Sequence, residues 1–140
     1  MFEFHGWFNL TASPREVDLD GDAAFAGRLR ERVVGLRWAG TSAFAEVHVL
    51  NGEYRLIVSG NRNHRGAVGA ELDELLAFVA TEAPGSYGLL YWRDDEGEPP
   101  AGPNNYQVTV MARGSLTLRL DLFLSPTVST VEDDWQPGME

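Results

Sequence analysis

Between two runs of alternating residues, "AFAEVHVL" and "EYRLIVSG", stands the pair Asn51-Gly52. Both residues tolerate positive φ, which makes this the strongest short signal for a two-residue β-hairpin. A hairpin here commits the chain to antiparallel pairing, and the remaining segments are read against that commitment. "FEFHGWFNL" sets Phe2, Phe4, Gly6, Phe8 and Leu10 against Glu3, His5, Trp7 and Asn9. Period-two alternation with aromatics predicts a strand. "SYGLLYWRDDEGEPP" opens the same way, with Tyr87, Leu89 and Tyr91 on one face and Leu90 and Trp92 on the other. A loop follows from about Asp94 to Pro103, then the strand "NYQVTVMAR". "SLTLRLDLF" alternates through Leu116, Leu118 and Leu120. It is either another strand or a continuation past a bulge at Gly114. Trp7 and Trp92 are expected in the core rather than at a contact surface.

Two segments change period. Phe25, Leu29, Val33 and Leu36 fall on one helical face, with Arg28, Arg30, Glu31 and Arg32 mostly outside it. Asp20 or Asp22 is expected to cap its start. Val68, Leu72, Leu75, Leu76 and Val79 make a second apolar stripe, ended by Pro84 and Gly85. The predicted order is β-α-β-β-α-β-β. That is an α+β fold, with a mainly antiparallel sheet and two helices on one face. A ferredoxin-like arrangement with an extra strand or two is the expected architecture, and a more open meander is the alternative. The 140 residues suffice for one domain, 1–140. Residues 125–140 have no clear period and are expected to pack loosely as a C-terminal tail.

Composition narrows the chemistry. The net charge is −10, and all eleven basic residues are arginine. Without lysine there is no Schiff-base chemistry, and without cysteine neither a thiol nucleophile nor a disulfide framework. A direct nucleic-acid binder needs a basic stripe, which an acidic chain does not offer. No window approaches eighteen apolar residues, and "MFEFHGWFNL" lacks the basic start of a signal peptide. The expectation is a cytoplasmic protein without membrane contact.

The residues do not assemble a catalytic or metal motif. His5, His48 and His64 have neither HxH nor HExxH spacing. Asp94, Asp95, Glu96 and Glu98 lack the alternating pattern of a calcium loop. There is no GxSxG and no phosphate-cradling glycine loop. Carboxylates in an exposed loop keep ordinary acidity and make poor acid–base pairs. No enzymatic activity, metal or cofactor is expected. The recognition reading is better supplied: Trp92 and Arg93 are contact-prone types, and Asp94, Asp95, Glu96 and Glu98 can steer a cationic partner. Glu132, Asp133 and Asp134 beside Trp135 repeat the mixture. Alternatively, Asp94 or Asp95 can pair with Arg113 or Arg119 across the hairpin.

Five stretches in order resemble one family: "MFEFHGW", "NRNHRG", "APGSYGLLYWRDDEGE", "NYQVTVMARGSLT" and "DLFLSPTVSTVEDD". Together they are similar to the immunity protein 7 family of bacterial polymorphic-toxin systems. The likeness covers both ends and the whole second half, and no matching motif falls between about Ser13 and Ala45. The resemblance implies a non-enzymatic inhibitor of the toxin C-terminal domain encoded beside it. A monomer or homodimer is expected. An acidic inhibitor suits a toxin with a basic surface, which favours a nuclease. Specificity is then expected where the chain departs from the shared pattern. Those places are Arg28, Arg30, Glu31, Arg32 and Arg37 on the first helix, and the loop tip from Glu96 to Asn104. Two rival readings stand beside this one: a small-molecule-binding or sensor domain whose aromatics line a pocket, and a small hydrolase or isomerase using His64 or the loop carboxylates.

Overall fold

The computed structural model describes residues 1–36, 38, 42–98 and 102–126. The elements run β1 (Phe2–Asn9), α1 (Leu19–Gly35), β2 (Ala43–Leu50), β3 (Glu53–Arg62), α2 (Gly66–Glu82), β4 (Tyr87–Asp94), β5 (Gln107–Ala112) and β6 (Ser115–Leu120). The fold is α+β with two helices, as the periodicities predict. The expected tail lies almost wholly outside the described residues.

The six strands form one sheet in the order β2-β3-β1-β4-β5-β6, with every neighbouring pair antiparallel. Each helix therefore joins two strands that flank a third. α1 carries the chain from β1 over β3 to β2, and α2 carries it from β3 over β1 to β4. The order 2-3-1-4 is the split β-α-β pairing of a ferredoxin-like sheet, and β5 and β6 extend it beyond β4.

The first hairpin forms where Asn51-Gly52 stands, with φ of 51° and 79°. Arg113 (φ 51°) and Gly114 (φ 78°) repeat this geometry between β5 and β6. Gly114 thus belongs to a turn between two strands and not to a bulge. Replacing Gly52 by valine puts a β-branched residue into the left-handed region. The expected cost is about 1–2 kcal/mol, read as a lowered midpoint in thermal melts against wild type.

Period two and period 3.6 meet in a single core. Phe2, Phe4, Phe8, Leu56, Val58, Leu90 and Met111 come from the sheet, and Phe25, Leu29, Leu72, Leu75, Leu76 and Val79 from the helices. Phe8 is fully buried, and the glycines beside it make the room. A Cβ on Gly88 would fall 2.0 Å from the Trp7 carbonyl oxygen and 2.8 Å from the Phe8 ring. The helices lock to each other through Phe25 stacked on Phe78, with ring centroids 5.5 Å apart. α1 starts two to four residues earlier than a cap at Asp20 or Asp22 would place it. Asp18 is the cap, its Oδ1 accepting the Gly21 N–H at 2.9 Å. Asp22 instead accepts the Ala12 N–H at 2.7 Å and ties the preceding loop to the helix.

Candidate functional site: the open face of the sheet

With both helices on one side, alternation sends every second strand residue to the other. In an antiparallel sheet that second face ordinarily carries polar side chains. Here it does not. The register sets Ile57, Trp7, Leu89 and Val110 in one row across β3, β1, β4 and β5. Phe44, Ser59, His5, Tyr91 and Val108 form the next row, starting one strand further out on β2. Tyr87 lies beside the first row. Trp7 is 41% exposed, Phe44 43%, Tyr87 47% and Leu89 39%. A contiguous apolar patch of this kind on a small domain marks an interaction site.

The patch is held in shape. Tyr87 meets Trp7 edge to face at 6.3 Å, and the Arg55 guanidinium lies 5.9 Å from the Trp7 ring. Arg55 in turn donates to Glu53 at 3.0 Å. Polar pairs border the rows: Glu46 with His48 at 2.8 Å, and His5 with Ser59 at 2.9 Å. Such a surface joins rigid aromatic anchors to a charged rim, the usual anatomy of a protein-binding patch.

One end of the patch is built on a buried network. Tyr91 stacks on Tyr106 at 4.6 Å, and the Tyr106 hydroxyl donates to Glu3 at 3.0 Å. Burial first, then a hydrogen bond to the Asp121 carboxylate, push the Tyr91 hydroxyl far above its ordinary value, so it stays a donor. Burial alone would raise Asp121, but bonds from Tyr91, from the Leu124 and Phe123 N–H groups and from Ser125 outweigh it and hold the carboxyl low. The Leu124 N–H reaches Asp121 Oδ2 at 2.7 Å. A carboxyl with a depressed folded pKa stabilises above its unfolded value, about 3.9, and loses that contribution as pH falls through the folded value. Asp121→Asn is therefore expected to melt earlier than wild type at pH 7, with the gap closing below about pH 3.9. Parallel melts across pH check this.

The residues singled out from sequence fall in separate places. Trp92 faces the helices, half-buried, its Nε1 donating to Thr109 Oγ1 at 3.1 Å and its ring edge on Phe2 at 6.2 Å. That is the core side expected of it. Trp7 is the correction: it stands on the open face, because β1 spends its inner positions on Phe2, Phe4 and Phe8. Asp94 closes the turn after β4, its Oδ1 accepting the Glu96 N–H at 3.0 Å. Asp95 pairs with the Met1 ammonium rather than with Arg113 or Arg119. Glu96 pairs with His64 at the start of α2, and Glu98 is exposed. Arg28, Glu31 and Arg32 lie on α1. Arg32 covers Phe78 at 4.4 Å, and Arg28 sits 3.9 Å from Glu82 at the far end of α2. Loop acids and α1 charges are thus divided by the length of α2, about 25 Å at 1.5 Å per residue. Glu132, Asp133, Asp134 and Arg37 lie outside the described residues.

Of the open-face aromatics, Phe44 borders a shallow hollow of about 300 Å³ with Glu3, His5 and Ser59, and Trp7, Tyr87 and Tyr91 border none of the hollows among the described residues. The largest hollow, about 640 Å³, lies beyond the sheet end, against Ser13–Val17, and Tyr54 is the one aromatic bordering it. Among the described residues no three His, Asp or Glu side chains converge as a metal site. No described helix is long and apolar enough to cross a membrane.

These features define a small α+β domain with two helices on one side of a six-stranded antiparallel sheet and a partly aromatic open face on the other. Residues 1–133 match the family described as Immunity protein 7, and the chain belongs to that family: it is an immunity protein directed against a toxin. No curated protein matches the chain, and no solved structure does.

Proposed function

We propose that this immunity protein neutralises one cognate toxin domain by stoichiometric binding, without chemistry of its own, and that the toxin is a nuclease. The observation that carries the reading is the open sheet face, whose aromatic rows have the composition of a hot-spot surface in a chain that belongs to an immunity family. Its Trp7, Tyr87 and Tyr91 anchor the contact. The nuclease assignment rests on charge. A net charge of −10 attracts a basic nucleic-acid cleft and imitates the phosphates that cleft binds. The carboxylates at Glu96 and Glu98 act at a distance, in the approach.

Calorimetric titration into the catalytically disabled toxin domain encoded beside this chain tests the proposal. One-to-one tight binding is expected, and an absence of binding overturns it. Reversing charge at Glu96 and Glu98 together is expected to slow association several-fold at low salt and to flatten its salt dependence. Stopped-flow rates across ionic strength measure this. Rates that stay unchanged rule out steering by the loop.

A further inference from the structure

The sheet ends at β6, and no strand pairs with its outer side among the described residues. The turn at Arg113-Gly114 closes the hairpin on Ala112 and Ser115 as a hydrogen-bonded pair. Alternation from that pair turns the backbone groups of Ser115, Thr117 and Arg119 toward β5. Those of Leu116, Leu118 and Leu120 point outward along the free edge. Soluble proteins protect such edges with lysine, proline, inward charges or bulges. β6 has no proline, and its register with β5 is uninterrupted from Ser115 to Leu120. The other edge, β2, is guarded by Glu46 and His48.

Side chains on β6 add to the exposure. Leu116, Leu118 and Leu120 share the helix side of the sheet, where α2 reaches only as far as Leu116 beside Leu76 and Trp92. Leu118 is 54% exposed, and the apolar strip continues into the still more exposed Leu122 and Phe123. Charge points to what covers the strip. From Gln107 to Leu120 there is no carboxylate, and the charges are Arg113 and Arg119. A basic partner finds nothing to attract it here. Two copies of this acidic chain can meet here with their carboxylates held away from the seam.

We propose that β6 pairs with β6 of a second copy, antiparallel, about a two-fold axis through Leu118. In that register Leu118 faces its own symmetry mate and Leu116 faces Leu120. All three pairs use outward backbone groups, so the ladder is satisfied with no shift of either chain. The leucines of both copies fall on one face and form a continuous strip. Arg119 lies opposite Thr117, and no like charges stand directly across the seam. Two six-stranded sheets become one, and the open aromatic faces of both copies remain uncovered. Because the interface is isologous, it closes at two copies.

Sedimentation equilibrium of the full chain, with amide hydrogen exchange at low and high concentration, tests the proposal. The expected result is a dimer mass, with exchange at Leu116, Leu118 and Leu120 slowing as concentration rises. Leu118→Glu should weaken dimerisation by tenfold or more while leaving the monomer's circular dichroism and melting intact, because that side chain is exposed. Leu118→Pro, which removes one outward N–H, should act the same way, and Trp7→Ala should not. A monomer at all concentrations overturns the proposal. So does protection of these amides that is independent of concentration, which would mean that the chain covers its own edge. Protection that appears only on adding the toxin assigns the edge to the toxin, and a ladder of larger masses shows open-ended pairing; either outcome overturns it.

Discussion

Trp7→Ala should weaken toxin binding by at least ~30-fold, the equivalent of about 2 kcal/mol at a hot spot, while the protein stays folded. Trp7 sits at the centre of the open face, between Ile57 and Leu89, with Tyr87 against its edge and Arg55 over its ring. Truncation removes the largest contact of the row and frees Arg55 and Tyr87 to move. Because much of the indole is exposed, the loss in thermal stability should be small by comparison. Binding and melting of the same variant separate the two effects. A variant that binds the toxin as tightly as wild type would move the contact off this face, to the α1 charges or the loop after β4.

The other large effect is on the fold. Phe8→Ala should cost about 3–5 kcal/mol, the range for deleting a buried aromatic ring. Phe8 is fully buried at the middle of the sheet, and Gly6 and Gly88 approach its ring to about 3 Å of any side chain they could bear. The backbone there is fixed by β1 pairing on both sides, so the cavity cannot easily collapse. Urea unfolding reads this as a lower midpoint at unchanged slope. A small change would mean that neighbouring helices move in to fill the space.

Much of this architecture is legible in the chain. The α2 stripe is legible because its inner face is wholly apolar, and all five of its predicted residues are buried. The first hairpin is legible because Asn51 and Gly52 are the residue types that accept positive φ. The second was harder to place, since Arg113 occupies the same left-handed conformation without the side chain that usually announces it. The cap of α1 is ambiguous for a related reason: Asp18, Asp20 and Asp22 are equivalent in sequence, and only the path of the incoming loop separates them. Trp7 is the residue at which bulk and alternation disagree: a large indole suits a core, but its place in β1 is an outward one. The alternation of β1 does set Trp7 opposite the phenylalanines. In β4 the alternation does not distinguish the faces, since Leu89 and Tyr91 are as apolar as Leu90 and Trp92. Which face meets the helices depends on strand order, and strand order is a property of the assembled sheet. The open face could therefore be seen only once β3, β1, β4 and β5 stood side by side.

The position of β1 has a consequence in time. It is made first, yet it lies between β3 and β4, and the Met1 ammonium is held by Asp95. During synthesis β1 must wait for both neighbours, until the codons for Asp94 and Asp95 have been read. At ~5–20 residues per second, that delay is on the order of ten seconds, in which its four aromatic side chains have no sheet to join. The open face is complete only once β5 has left the ribosome, so a nascent chain shorter than that lacks the surface proposed to meet the toxin.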